Sequence, residues 1–276
     1  MRAAQVQDFK NVLHAAGYQV PDREASVAVG SAPAHRTSKT QPDHLSPLAA
    51  LYAAAKVTWR QIADETGASF GELLLELAKQ GLVLPRVRPD VTAQQTRILQ
   101  AMLQGSGREE MTGLSLIITD SGPLITLAVA GSLDALLLPK LPIIVPDMVR
   151  FEVIRDLSKP GAQQVADWIR AQEGPALRVA STEIFEEYQI LLGIRPMTTA
   201  GNRGEQAAAE VLGQQLDGND HGAILLFEDS AVHKQNFLIR LPDEAVATST
   251  SELLFGLESV GLVRNASEIL LRATAA

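Results

Sequence analysis

"LSLIITDSGPLITLAVAGSLDALLLP", residues Leu114 to Pro139, decides how the second half of this chain is read. Leu116–Thr119 is a short run, apolar until its last hydroxyl, and it leads onto one carboxylate, Asp120. A Ser-Gly-Pro turn follows, and Pro123–Ala130 has the content of a helix. A continuous apolar run that passes through a turn into a helix predicts a strand covered on both faces, as in a parallel sheet. Ligands of such sheets sit at the carboxyl ends of the strands, where Asp120 falls.

The same alternation continues downstream. Strands are expected at Ile143–Val145, Leu177–Ala180 and Ala223–Phe227, and near Ala245–Ala247. Helices are expected at Met148–Arg155, Ala162–Gln172, Thr182–Leu191, Gly204–Gln214, Ser230–Phe237 and Ser251–Val260. The expected class is α/β with a central parallel sheet over residues 111–276. Residues 1–110 read differently, as a small all-α region. They hold a helix at Gln5–Ala16, a Pro/Ser/Thr-rich linker at Gly30–Leu48, and two short helices joined at Gly67. Thr58 is the expected N-cap of the first helix, with Ile62 and Ala63 facing a core. Ser69 caps the second, with Leu73, Leu74 and Leu77 inward. This is a helix-turn-helix pattern, and both a structural hairpin and a DNA reader fit it. Glu72 and Glu76, expected to face outward, would repel phosphates and count against the reader.

Charge divides at the same place. Up to Glu110, 12 Lys and Arg stand against 11 Asp and Glu; from Met111 onward 12 stand against 21, giving the net −8. An acidic second half does not attract nucleic acid unless cations hold some of the acid. With no cysteine, disulfides and thiolate metal sites are excluded. The N-terminal stretch has no signal-peptide core, and no apolar run is long enough for a membrane span, so a cytoplasmic chain with no membrane partner is expected. His14, His35, His44 and His233 are scattered and do not suggest a zinc site.

The second strand to end on acid is "AILLF", followed by Glu228 and Asp229. Neighbouring carboxylates repel, which raises a pKa or recruits a cation. Oxygen donors without Cys or His suit Mg²⁺ or Mn²⁺. Glu205, in the first turn of a helix, and Glu152, in "VPDMVRFEVIRD", are placed to join them. Each also reads as an ordinary helix glutamate.

In order and spacing, "IITDSGPLITLAVAGSLDALL", "IIVPDMVRFEVIRD", "NRGEQAAAEVL" and "AILLFEDSAVHKQNF" resemble the motifs of PIN-domain ribonucleases of the toxin type, over Leu114 to about Leu271. The resemblance implies a PIN-like three-layer fold and a Mg²⁺- or Mn²⁺-dependent endoribonuclease that leaves a 5′-phosphate and a 3′-hydroxyl. It implies Asp120, Glu152, Glu205 and Asp229 as catalytic and metal-holding acids. Ser121, Glu228, Thr250 and Ser251 are secondary candidates, the last two for a hydroxyl near the start of the last motif's helix. Arg150, Arg155, Arg203 and Lys234 are candidates for holding RNA. The long polar loop Gly213–Gly222 and the "FED" sequence depart from the family pattern, and the latter leaves Glu228 against Asp229 open.

Such toxins pair with a small antitoxin, and "VTWRQIADETGASFGELLLELAKQGLVLP" is similar to short antitoxins. The implied partner of the catalytic half is therefore an antitoxin-like segment in cis, or an antitoxin in trans, and a homo-oligomer is expected. Met111 stands where a separate toxin would start, consistent with a fusion, natural or man-made. Arg86, Arg88 or Arg97 would then reach into the acidic site in place of metal or RNA. Two alternatives stay open: a regulator of operator DNA with a non-catalytic PIN-like module, and a DNA-directed or flap-type nuclease.

Overall fold

The computed structural model describes residues 42–85, 115–118, 120–174, 176–196, 200–216, 223–228 and 245–275. Two expected helices, Gln5–Ala16 and Ser230–Phe237, lie outside them.

Five strands are described: β1 (Ser115–Ile118), β2 (Ile143–Pro146), β3 (Leu177–Ala180), β4 (Ala223–Phe227) and β5 (Ala245–Ser249). All pair in parallel, in the order β3-β2-β1-β4-β5. Each falls within about two residues of its expected place. The helices of this half are α4 (Ser121–Val129), α5 (Asp147–Ile154), α6 (Ala162–Gln172), α7 (Glu183–Ile194), α8 (Arg203–Leu216), α9 (Thr250–Ser259) and α10 (Ala266–Ala273). A 3-10 turn, Leu133–Leu137, follows α4.

The alternation of side chains along a strand sorts the core into two layers. Leu116 and Ile118 of β1 share one buried cluster with Ile143, Val145, Ile224 and Leu226, under α4. Ile117, Ile144, Ala223 and Leu225 point the other way, under the Ala208, Val211 and Leu212 stripe of α8. A third cluster, Met148, Tyr188 and Ala207, joins α5, α7 and α8. The chain is thus α/β, with helices on both faces of a parallel sheet.

The first half supplies α1 (Pro42–Ala53), α2 (Trp59–Thr66) and α3 (Phe70–Lys79). The expected caps form: Thr58 and Gln61 make a capping box, Gly67 takes the left-handed conformation at φ 72°, and Ser69 and Glu72 make a second box. The linker expected at 30–48 needs correction, because its end is helical. Leu45, Leu48, Ala49 and Tyr52 give α1 a buried face that its two prolines and its Ser and His residues obscured in the sequence. These helices share the sheet's own core. Phe70, Leu73, Leu74 and Leu77 belong to the same cluster as Leu116 and Leu124, and α3 lies against α4. Residues Ser121 to Ala128 of α4 are all buried. A helix apolar on every side needs cover on every side, and α3 shares that cover with the sheet, α5, α6 and α10.

Glu72, expected to face outward, instead meets Lys159 at 2.6 Å across this junction. Among the described residues no helix is long and apolar enough to cross a membrane.

Candidate active site

The strand order reverses between β1 and β4, since β2 and β3 lie to one side of β1 and β4 and β5 to the other. Crevices open at the carboxyl ends of strands at such a point. The register does the rest. Ile118 pairs with Leu226 and Phe227 with Ser249, so Asp120 comes level with Glu228, and Glu228 with Thr250.

Asp120 is 1% exposed, in extended backbone, and caps α4. Its Oδ1 accepts from the Gly122 N–H at 2.7 Å and its Oδ2 from the Glu228 N–H at 3.4 Å. Burial pushes its pKa up; Arg60 and the two N–H donors pull the other way. Glu152 comes in on α5, which starts directly after β2. Burial pushes its carboxyl up to about 7, opposed by Arg60 and Arg155 and reinforced by Asp120 and Glu205. Glu205 lies in the first turn of α8 and is also raised by burial, with Arg60 opposing and Asp120 reinforcing. Three expected acids therefore feel one another's charge at a single place. The fourth, Asp229, lies outside the described residues.

Glu228 is held at the edge of this group. Its carboxylate accepts a short hydrogen bond from the Thr250 hydroxyl. It also lies tight against Gly122, where an added Cβ would come 2.4 Å from the Cβ of Glu228 and 2.9 Å from Asp120 Oδ1. Of the two hydroxyls expected at the start of α9, Thr250 thus meets the acids, whereas Ser251 meets Ser249 at 3.0 Å. Ser121 is buried at the start of α4.

The basic candidates part company. Arg155 is exposed but close enough to Glu152 to favour its charge. Arg150 lines a small cleft with Arg170 and Glu173. Arg203 lies 5.1 Å over the Tyr188 ring and donates to the Ala200 carbonyl at 3.2 Å, so it braces the turn before α8. Lys234 lies outside the described residues, as do Arg86, Arg88 and Arg97.

Among the described residues, the cation that acts on all three acids is one that sequence reasoning missed. Arg60, on α2, pairs through Nη2 with Glu205 Oε1 at 3.4 Å, and its Nη1 donates to Asn202 Oδ1 and the Gly201 carbonyl. Nothing local in the sequence marks it: Arg60 is one polar residue in the first turn of a capped helix.

Buried, mutually repelling carboxylates with only oxygen donors suit a hard divalent cation. Among the described residues, no three acidic or histidine side chains stand close enough together to hold one as they are. Arg60 supplies positive charge there instead. No family model matches the chain, and no curated protein or solved structure matches it.

Proposed function

We propose that this chain is a metal-dependent endoribonuclease of the PIN toxin type, carrying an antitoxin-like helical segment in cis. The observation that supports it is that Asp120, Glu152 and Glu205, from three separate elements, act on one another's charge near the strand ends where the order reverses. Perturbed carboxylates brought together at strand ends are a common mark of function. Here Arg60 answers all three.

Asp120, Glu152 and Glu205, with Asp229 by the resemblance, would hold Mg²⁺ or Mn²⁺. When bound, such an ion lowers the pKa of a water and stabilises charge on the scissile phosphate. The chain's own groups supply the rest. The Gly122 and Glu228 N–H groups fix the Asp120 carboxylate in one orientation. Glu152, titrating about 7, holds or releases a proton at its carboxylate near neutrality. Thr250 holds Glu228 beside Asp120. Among the described basic candidates, Arg155, exposed and acting on Glu152, is the one placed to meet an RNA phosphate.

The test is cleavage of an RNA and of single-stranded DNA of the same sequence by the full chain, with Mn²⁺, Mg²⁺ or EDTA. RNA fragments with 5′-phosphates, requiring metal and lost in Asp120→Asn, are the expected result. DNA cleavage alone would move the assignment to a DNA-directed nuclease. No cleavage of either, together with retardation of operator-like DNA in a gel, would replace it with a regulator.

A further inference from the structure

The seam between the two halves of this chain has the make-up of a core, not of a contact between separate bodies. Leu48, Tyr52, Ile62, Leu73, Leu74 and Leu77 of α1–α3 are each 1% exposed or less. They lie in one continuous buried cluster with Leu116 of β1, Leu124 of α4 and Trp168 of α6. Lys79 alone in α3 is exposed; every other residue of that helix is buried or half-buried. Interfaces that form and part in solution are about as polar as ordinary surface, whereas permanent ones resemble a domain core cut in half.

Neither side is complete without the other. The helices α1, α2 and α3 run to 12, 8 and 10 residues. Isolated helices of that length are marginal in water, and packing has to hold them. Among themselves they pack through the edge-on Tyr52 and Phe70 rings at 6.3 Å, and Gln80 Nε2 donates to the Ser46 carbonyl at 2.8 Å. On the other side, the loss of α3 would open one flank of α4, whose residues from Ser121 to Ala128 are all buried. The turn before α6 is caught between the two helices. Pro160 meets Gly71 of α3, and a Cβ added to the next residue, Gly161, would lie 3.4 Å from side chains of Ile125, Ala128 and Val129 on α4.

We propose that residues 42–85 are a permanent wall of the sheet unit, so that the two halves fold as one body and the acidic crevice works with the helices in place. Release of the segment is then not a step open to this chain, because it would unfold what it was meant to free. The flank of α4 under α3 likewise has no room for a second chain supplied in trans. This separates the protein from toxins that pair with a detachable antitoxin: control of its crevice falls to groups that move while α1–α3 stay seated. The consequence for catalysis rests on the nuclease reading above; the unity of the fold does not.

The chain's two tryptophans stand one on each side of the seam, Trp59 in α2 and Trp168 in α6. Trp168→Phe leaves Trp59 to report on the helices, and Trp59→Phe leaves Trp168 to report on the sheet half. The experiment is urea unfolding of the full chain in both variants, by tryptophan fluorescence and by far-ultraviolet circular dichroism. One transition is expected, with fluorescence and dichroism sharing a midpoint in each variant. Gly71→Ala, added to either background, is expected to lower both midpoints together. Trp59 fluorescence that changes at lower urea than the dichroism of the same protein, or a Gly71→Ala shift confined to the Trp59 signal, would overturn the proposal. Should a tryptophan variant not fold, amide exchange in wild type decides the matter. There α3 and α4 are expected to exchange through one shared opening, and α3 exchanging while α4 stays protected would overturn the proposal. Neither readout involves RNA or metal, so the two readings fail separately. A single transition in a chain that cleaves no RNA keeps the wall and sinks the nuclease. RNA cleavage by a chain whose helices unfold first does the reverse.

Discussion

Lys159 Nζ stands 2.6 Å from Glu72 Oε1, and beside this pair a Cβ on Gly71 would lie 2.5 Å from the carbonyl oxygen of Pro160. The helical segment is therefore seated by a backbone-to-backbone approach as well as by apolar burial. Gly71→Ala cannot be relieved by turning a side chain, because the obstacle is main chain. It is expected to cost about 1–3 kcal/mol of unfolding free energy, the usual price of overpacking. Lys159→Met, which breaks a partly exposed pair, should cost no more than about 1 kcal/mol. Urea denaturation of both variants checks the order; a Gly71→Ala variant as stable as wild type would refute the close seat.

Much of this was legible in the sequence, and the legible part has a physical character. Strands such as "AILLF" and caps such as Thr58 and Ser69 are local: they depend on a few neighbours and were placed within about two residues. Asp120 was legible because a strand end fixes its position. Arg60 was not. Its role depends on α2 reaching Glu205, and no local pattern encodes a contact between residues so far apart. The all-apolar helix at Ser121–Val129 was the one clue that something besides the sheet must cover it. The end of the supposed linker was missed for the opposite reason, since Pro42 and Pro47 spoke louder than the buried Leu45, Leu48 and Tyr52.

Gly122 makes the approach of β4's end to Asp120 possible. An added methyl would strike the Cβ of Glu228 at 2.4 Å and crowd Asp120 Oδ1 at 2.9 Å. Gly122→Ala is expected to cost about 1–3 kcal/mol of stability. It should also weaken Mn²⁺ binding, because Asp120 loses the orientation that the Gly122 N–H gives it. Calorimetry with Mn²⁺ on folded variant separates this from a loss of fold; unchanged affinity would show that the orientation of Asp120 does not matter.

Without metal, the acidic crevice should make stability fall as pH rises toward alkaline values. Burial raises Glu152 from 4.5 to about 7, so the folded chain binds that proton more tightly than the unfolded one. The benefit is complete below about pH 4.5 and is lost as pH climbs through 7, with a ceiling of about 3 kcal/mol. Asp120 and Glu205 are raised as well and add to the same slope. Glu72 works the other way: despite burial, its bonds to Lys159 and Ser69 hold it below 4.5, so its contribution is present above that pH and lost as pH falls through its folded value. Urea denaturation in EDTA, from about pH 5 to about pH 8, should show declining stability in wild type and a shallower decline in Glu152→Gln. Equal slopes would mean that Glu152 is not charge-frustrated.

Asp120→Asn separates what the carboxylate does for the fold from what it does for chemistry. As an N-cap, asparagine serves as well as aspartate, and its side-chain oxygen can accept the Gly122 N–H that Asp120 Oδ1 now accepts at 2.7 Å. Burial already disfavours the charged form of Asp120, and its charge raises Glu152 and Glu205, so removing it takes a repulsion out of the cluster. Asp120→Asn is therefore expected to melt close to wild type, losing only the long bond that Oδ2 accepts from the Glu228 N–H at 3.4 Å, and Asp120→Ala to lose about 0.5–2 kcal/mol with the cap. On the nuclease reading proposed above, both lose metal-dependent RNA cleavage, because neither offers an anionic oxygen. The informative comparison is between the two variants. If Asn proves as destabilising as Ala, the charge of Asp120 is serving the fold through Arg60. If Asn is stable and still cleaves RNA with Mn²⁺, Asp120 is not among the acids that hold the ion.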